Sequence, residues 1–178
     1  MTMNTINSNH RIALPRYSRC FVCGKSNPIG LNIEFFYENE KIVTSFSPKP
    51  EHIGYKNTVH GGIIATLLDE AMGWTSIISQ PALSVAADLS VRYKLPARLG
   101  QKFIISAEIE KDRRKIIQTT GRIELEDGTL LCAGTGKYMP LSPDEMEDLI
   151  EYSQWQDSFI PCYEKIQALR SNNSALSG

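Results

Sequence analysis

The segment TVHGGIIATLLDEAMGW, residues 58–74, constrains the fold more than any other part of the chain. Its apolar residues recur at i, i+1, i+4 and i+5, which is the spacing of one broad buried stripe on an α-helix. The stripe consists of Ile63, Ile64, Leu67, Leu68, Ala71 and Met72. The same helix carries two adjacent acids, Asp69 and Glu70. At about 100° per residue they fall on opposite margins of the stripe and point in different directions.

Runs of alternating apolar and polar residues before and after this helix predict a sheet. The predicted strands cover residues 31–37, 41–47, 88–95, 102–110, 116–126 and 129–139. Short turns join most of them, including a hairpin at 38–40 and another at Asp127–Gly128. In 88–95 the alternation of Leu89, Val91, Tyr93 and Leu95 is typical of a half-buried strand. One helix against about six antiparallel strands is an α+β layout, whose sheet leaves an edge or a face for a partner to cover.

The composition fits a single main domain without a nucleic-acid or membrane partner. The 178 residues are 42% hydrophobic, which is enough for a core, and the formal net charge of −1 provides no global basic field. No run reaches the ~18 apolar residues of a membrane helix, and residues 1–18 lack the apolar centre of a secretory signal. We therefore expect a cytoplasmic protein.

The chain divides into four predicted regions. Residues 1–18 are polar and irregular, which predicts a flexible arm, and residues 19–141 form the main domain. In 142–170, Ser142 can cap a helix, Pro143 suits its first turn and Glu145 completes a capping box, so this region predicts a helical appendage. Residues 171–178 are expected to be disordered.

Two of the four cysteines form a C-x-x-C pair, Cys20 and Cys23. A structural zinc site usually needs a second ligand pair at suitable spacing, and none follows nearby. A thioredoxin-type pair would lie at the mouth of a helix, whereas CGKSNPIG is typical of a loop. We therefore favour a tight N-terminal turn over zinc or redox chemistry, and predict no metal.

Asp69 is the first candidate for chemistry because its helical neighbours Ala65, Thr66 and Gly73 are small. Small neighbours leave a gap above a carboxylate, and a glycine within a helix costs about 1 kcal/mol relative to alanine, which indicates a packing or access requirement. The alternative is a solvated acid, or one paired with an arginine. Glu70 is the second candidate.

The HGG sequence at the helix entrance is the second candidate element. Gly61 and Gly62 lie where backbone N–H groups lack intrahelical partners and where the helix dipole favours negative charge, as an oxyanion site requires. The alternative is a tight entry turn with His60 as a satisfied partner. Nine residues separate His60 from Asp69, a rotation of about 180° and a rise of about 13.5 Å. This spacing favours a site shared between two subunits of a symmetric dimer.

The motifs CFVCGKSNPIGL, HIGYKNTVHGGIIATLLDEAMG and ADLSVRYKLPARLG resemble the hotdog-fold acyl-CoA thioesterases of the PaaI-like group, over roughly residues 20–139. The resemblance implies a long central helix wrapped by a curved antiparallel sheet. It also implies a homodimer, often paired into a homotetramer, with active sites at the dimer interface. The implied reaction is hydrolysis of an acyl-CoA thioester, with coenzyme A as part of the substrate and no cofactor.

The resemblance also assigns roles to individual residues. Asp69 matches the general base or nucleophile, the Gly61 N–H matches the oxyanion donor, and His60 matches the histidine that positions the substrate or the loop. Many relatives have Ser or Thr where this chain has Ala86, and some have Asn or Gln where it has Gly54. The expected substrate-binding residues are Gly62, Asn57, Glu70, Arg113, Arg114 and Lys115. Asn57 is the candidate to supply the amide missing at Gly54.

The three basic residues of the 113–115 turn are candidates for the coenzyme A phosphates. Solvated hairpin charges are the alternative for each of them.

Two other functions compete with hydrolysis. One is a hotdog module that binds acyl-CoA without hydrolysing it, which the absence of a hydroxyl at Ala86 favours. The other is a hydroxyacyl-thioester dehydratase, whose usual motifs differ from HGG and LLDEA.

Overall fold

The computed structural model describes residues 11–149 and 152–176. The helices are α1 (Gly61–Ile77), α2 (Pro143–Leu149) and α3 (Tyr152–Leu176). The strands before α1 are β1 (Ile12–Ala13), β2 (Phe36–Glu38), β3 (Lys41–Phe46), β4 (Ile53–Tyr55) and β5 (Thr58–Val59). The strands after it are β6 (Ser84–Tyr93), β7 (Phe103–Asp112), β8 (Ile117–Leu125) and β9 (Leu130–Pro140).

Seven of these strands form one antiparallel sheet in the order β1-β2-β3-β7-β8-β9-β6. Helix α1 lies on this sheet and contacts β3, β6, β7, β8 and β9. The α+β class and the hotdog architecture of a long helix on an antiparallel sheet are therefore confirmed. Strands β4 and β5 form a separate small hairpin before the helix, and neither is among the predicted strands.

The apolar stripe of α1 faces the sheet. Ile64, Leu67, Leu68, Ala71 and Met72 are all buried. The helix approaches closely because β8 carries a glycine beneath it: a Cβ added at Gly121 would lie 3.0 Å from Leu68 Cδ2. The 3.6-residue periodicity therefore identified the buried face correctly.

The predicted hairpins are present with small shifts. Asn39 and Glu40 both have positive φ between β2 and β3, and Gly128 has a φ of +84° between β8 and β9. The first predicted strand is shorter than expected, because β2 begins only at Phe36. The residues before it, including Ile33 and Phe35, are buried without joining a ladder.

The prediction of a flexible arm over 1–18 is wrong for residues 11–18. Ile12 and Ala13 pair with β2, and the Leu14 N–H donates to the Phe35 carbonyl at 2.9 Å. Leu14 is buried, and the free energy gained from this apolar contact holds the segment against the sheet. Residues 1–10 lie outside the described residues.

The capping box predicted at residue 142 is present. Glu145 Oε2 accepts a 2.8 Å hydrogen bond from the Ser142 N–H, and Ser142 Oγ accepts one from the Glu145 N–H at 3.4 Å. The helix after it joins the core: Trp155, Phe159 and Ile166 are buried, and Phe159 packs against Trp74 of α1 with ring centroids 6.4 Å apart. These apolar contacts anchor α3 to the main domain.

The C-terminal tail differs from its prediction. Helix α3 continues to Leu176, so residues 171–176 are helical where the sequence predicted a disordered tail from 171. Once the buried residues fix the first turns, each further residue adds a helical hydrogen bond at little entropic cost. The Ser171 hydroxyl also donates to the Gln167 carbonyl, one turn earlier, at 3.0 Å. Residues 177–178 lie outside the described residues.

Strand β6 forms one edge of the seven-stranded sheet and pairs only with β9. The prediction of a half-buried strand here is wrong for the single chain, because Leu89 and Tyr93 are 36% and 53% exposed. Val85 and Met139 beside them are also exposed. The alternation is real, but nothing within the described chain covers this apolar edge. Such an edge is a ready template for pairing with another strand.

None of the helices in the described ranges combines the length and apolar character that crossing a lipid bilayer demands.

Candidate active site

A cavity of about 530 Å³, called the main cavity below, opens beside the middle of α1. Its lining from α1 includes Asp69, Glu70 and Trp74. The remaining walls come from the segment around Cys20, from β6 and β9, and from α3. Both mid-helix acids therefore contribute to the same cavity, although they lie on opposite margins of the apolar stripe.

The carboxylate of Asp69 is held by a tyrosine of the last strand. The Tyr138 hydroxyl donates to Asp69 Oδ1 at 2.9 Å and lies 3.0 Å from the Asp69 carbonyl oxygen. Burial raises the pKa of the Tyr138 phenol, and the charge of Asp69 adds to the effect. Tyr138 therefore stays protonated and acts as a donor. Within the described residues Asp69 forms no ion pair, so the interpretation as an arginine-paired acid is wrong.

Two glycines make room for the Tyr138 ring. Gly73, within α1, lies next to the ring, where an added Cβ would be 3.5 Å from Tyr138 Cε1. Gly136, two residues before Tyr138 on β9, is closer to the ring. A Cβ added there would lie 2.5 Å from Tyr138 Cε2 and would clash with it. The space that small neighbours leave near Asp69 is thus shared between the cavity and this ring.

These distances predict opposite effects of adding one methyl group. Gly73→Ala is expected to raise the free energy of unfolding by up to about 1 kcal/mol, because alanine suits a helix and meets only ordinary contact. Gly136→Ala is the matched contrast and is expected to lower it by about 1–3 kcal/mol, because the buried ring must move. Urea unfolding of both variants measures the two changes. Equal destabilisation by both would contradict the assigned packing.

Glu70 lies against the C-x-x-C pair. Cys20 Sγ is 3.6 Å from Glu70 Oε1 and 3.8 Å from Oε2. Burial raises the pKa of Glu70 to about 7, and the neighbouring Cys20 charge adds to this. Hydrogen bonding from the Cys23 thiol and from the backbone N–H groups of Cys23 and Val22 lowers the pKa of Cys20 to about 5. The same hydrogen bond to Cys20 raises the pKa of Cys23 above its usual range.

At the helix entrance, His60 caps α1 through its side chain. His60 Nδ1 accepts a hydrogen bond from the Gly62 N–H at 2.9 Å, so that donor is already engaged. The Gly61 N–H occupies the first helical position, for which an α-helix provides no acceptor. Gly54 packs against His60, where an added Cβ would lie 3.1 Å from His60 Cα. A larger side chain at position 54, where the amide is missing, would therefore require His60 to shift by a few tenths of an ångström.

The entrance and Asp69 belong to different cavities of the single chain. Gly61 lines a second cavity of about 380 Å³ with Tyr93, whose hydroxyl donates to the Gly61 carbonyl at 2.8 Å. Neither His60 nor Gly61 lines the cavity that contains Asp69. As the nine-residue spacing predicted, one chain does not bring the two elements together.

The remaining predicted substrate-binding residues lie away from both cavities. Asn57 occupies the β4–β5 turn with a φ of +57°, and its carbonyl accepts a hydrogen bond from Leu99 N–H at 3.1 Å. Arg113, Arg114 and Lys115 form the exposed turn between β7 and β8. Gln80, just beyond α1, fastens this turn by donating to the Arg114 carbonyl at 3.0 Å. A role of these four residues in substrate binding stays a prediction.

Sequence reasoning missed Tyr138 and the contact between Cys20 and Glu70. Tyr138 lies 69 residues from its partner, and Cys20 lies 50 residues from Glu70, so no local pattern links them. The sequence offered only indirect signals of the Tyr138 contact. These were Gly73 within the helix and Gly136, two residues before Tyr138 on the last strand.

Comparison with known proteins supports the recognition of the family. The model of the thioesterase superfamily matches residues 56–132, which include α1 and strands β6 to β8. An acyl-coenzyme A thioesterase THEM4 of Xenopus laevis is 30% identical over 118 residues, which is 65% of this chain and 53% of that protein. This chain thus spans about half the length of this protein and of other curated relatives that it matches.

Solved structures agree with this fold. The E. coli PaaI protein is 18% identical, with a TM-score of 0.58 over 63% of this chain and 81% of its own. The BH2602 protein of Bacillus halodurans, solved with CoA, is 30% identical, with a TM-score of 0.52 over 55% of this chain and 70% of its own.

Proposed function

We propose that this chain, whose residues 56–132 match the model of the thioesterase superfamily and which has the hotdog fold, hydrolyses the thioester of an acyl-CoA to a free acid and CoA. The observation that carries this proposal is the Asp69 carboxylate, which lies in the wall of a cavity with one oxygen fixed by Tyr138. In the described structure no hydrogen bond involves its second oxygen. A carboxylate held in this way can accept a proton from water or attack a carbonyl carbon.

The oxyanion donor in this proposal is the Gly61 N–H of a second copy of the chain. The support is the free apolar edge of β6: antiparallel pairing of two such edges would join two sheets and bring two α1 helices side by side. The cap by His60 keeps the helix entrance rigid, because it fixes the Gly62 N–H. The first N–H of α1 then points toward the partner with the positive end of the helix dipole behind it.

The reaction balances with these groups alone. Asp69 takes a proton from water, the water oxygen bonds to the thioester carbon, and the Gly61 N–H stabilises the oxyanion. Collapse of this intermediate breaks the carbon–sulfur bond, and CoA leaves as the thiolate, to which the proton returns. In the nucleophilic alternative Asp69 forms a mixed anhydride, which water then hydrolyses. A homodimer is the minimum active unit in either case, and a dimer of dimers is compatible with it.

The competing function is acyl-CoA binding without hydrolysis, and one observation favours it. Ala86 lines the cavity beside Asp69 and offers no hydroxyl to hold water. The nearest hydroxyl on the same strand, Ser84, is bonded to Ser76 at 2.9 Å.

Thiol release from a panel of acyl-CoAs, with equilibrium binding measured alongside, separates the two functions. We expect the wild-type chain to release CoA from at least one acyl-CoA that it binds, and Ala86→Ser to retain that release. Tight binding of the whole panel with no release above the uncatalysed rate would leave only the binding module.

A further inference from the structure

Cys20, Cys23 and Glu70 converge on one point at the wall of the main cavity. One ligating atom from each lies within 4.8 Å of the other two, and the cavity is lined by all three residues. The pair comes from a loop and the acid from the middle of α1, so the cluster joins the N-terminal segment to the central helix. We propose that these three side chains form a zinc site, with a fourth position open to the cavity.

The loop geometry suits thiolate ligands. The N–H groups of Val22 and Cys23 both point at Cys20 Sγ, at 3.3 and 3.4 Å. The Gly24 N–H closes the turn on the Cys20 carbonyl at 3.0 Å. No side chain fits at Gly24, where a Cβ would lie 2.3 Å from that carbonyl oxygen. Hydrogen bonds to the charged form stabilise a thiolate, and the thiolate is the form that binds metal.

The third ligand lies at the expected separation. In a tetrahedral site with Zn–S bonds near 2.3 Å and Zn–O bonds near 2.0 Å, a sulfur and an oxygen are about 3.5 Å apart. The observed distances from Cys20 Sγ to the Glu70 oxygens are 3.6 and 3.8 Å. The cluster therefore needs little rearrangement to receive an ion.

The electrostatics also favour a cation. The Glu70 carboxylate lies 3.6 Å from the Cys20 sulfur in the cavity wall, so that a thiolate at Cys20 repels it. A divalent cation converts the repulsion into attraction to all three groups. Two sulfur ligands select zinc over magnesium or calcium, and three protein ligands with one open position match zinc sites that keep a water.

Metal analysis of the 178-residue chain, purified under reducing conditions and loaded with zinc, tests the site. We expect one zinc per chain, and at least a tenfold weaker zinc affinity in Glu70→Gln. The Cys20→Ala/Cys23→Ala double variant is expected to bind none. Cys132→Ala, which removes a buried thiol elsewhere, is the control and should retain one zinc.

A direct readout of the ligands comes from cobalt substitution. Co²⁺ in the site should show thiolate-to-metal charge-transfer absorption in the wild type and in Asp69→Asn, but not in the double variant. Less than one tenth of an equivalent of zinc after loading, or unchanged zinc in the double variant, would overturn the proposal. A Cys20–Cys23 disulfide that persists under reducing conditions would also overturn the proposal. Because zinc content is measured without substrate, loss of this site and loss of the proposed hydrolysis are separate results.

Discussion

Replacement of Asp69 by asparagine is expected to lower kcat for acyl-CoA hydrolysis by about 10³-fold, within the usual range for loss of a general base. The asparagine amide cannot accept a proton at neutral pH. Its oxygen can still accept the hydrogen bond that the Tyr138 hydroxyl donates to Asp69 Oδ1 at 2.9 Å in the wild-type chain. The fold should therefore be preserved, and far-ultraviolet circular dichroism with the unfolding midpoint checks this. Thiol release under substrate saturation measures the loss.

Two further variants separate this effect from general damage. Asp127→Asn removes a carboxylate from the β8–β9 hairpin, where Asn-Gly is as good a turn as Asp-Gly, and should leave kcat unchanged. Tyr138→Phe keeps the ring and removes the hydroxyl that positions Asp69. It should lower kcat by roughly fivefold to tenfold, the equivalent of one hydrogen bond. Retention of wild-type kcat by Asp69→Asn would exclude Asp69 as base or nucleophile.

Removal of the Gly61 N–H is expected to cost about 10²–10³ in kcat, as removal of one oxyanion donor does. Gly61→Pro achieves this with little disturbance, because proline suits the first position of a helix. His60 already has a φ of −59° and a ψ of +133°, the conformation that a residue before proline prefers. Gly61→Ala is the control: it keeps the N–H, and its Cβ would lie 3.4 Å from the Tyr93 hydroxyl.

Subunit mixing then tests whether the site is shared. Asp69→Asn and Gly61→Pro are each expected to be nearly inactive as homodimers. In a mixed dimer one site combines the intact Asp69 of one subunit with the intact Gly61 of the other. Equal mixing by co-refolding should therefore restore about a quarter of wild-type activity, since half the dimers are mixed and each has one complete site. No recovery in mixtures that demonstrably contain heterodimers would place both groups in one subunit and contradict the shared site.

The helix and the acid at its centre could be predicted because their signals are local. The apolar stripe of α1 repeats every turn, and the unexplained Gly73 marks the same helical face as Asp69. The hairpin turns at Asn39–Glu40 and Gly128 are likewise encoded by the residues that adopt positive φ. In each case the physical cause lies within a few residues of its effect.

The remaining parts depend on contacts between distant segments. The Tyr138 hydroxyl reaches Asp69 only because β9 passes beneath α1, and the C-x-x-C loop meets Glu70 only after the N-terminal segment folds onto the helix. The alternation in β6 correctly indicated one apolar face. It could not indicate that this face lies at the sheet edge, where the single chain leaves it uncovered. The period of the apolar pattern shows which residues share one face of a strand. It does not show what that face contacts.

The cavity wall combines residues from inside and outside the segment that the superfamily model matches. Asp69 and Glu70 lie within residues 56–132, which the superfamily model covers, whereas Cys20, Trp155 and Ser158 lie outside it. The two ends of the chain contact each other, since the Cys162 thiol lies 3.6 Å from the Ala13 carbonyl oxygen. Sequence change in either terminal segment can therefore reshape this cavity while the helix that carries Asp69 and Glu70 stays as it is.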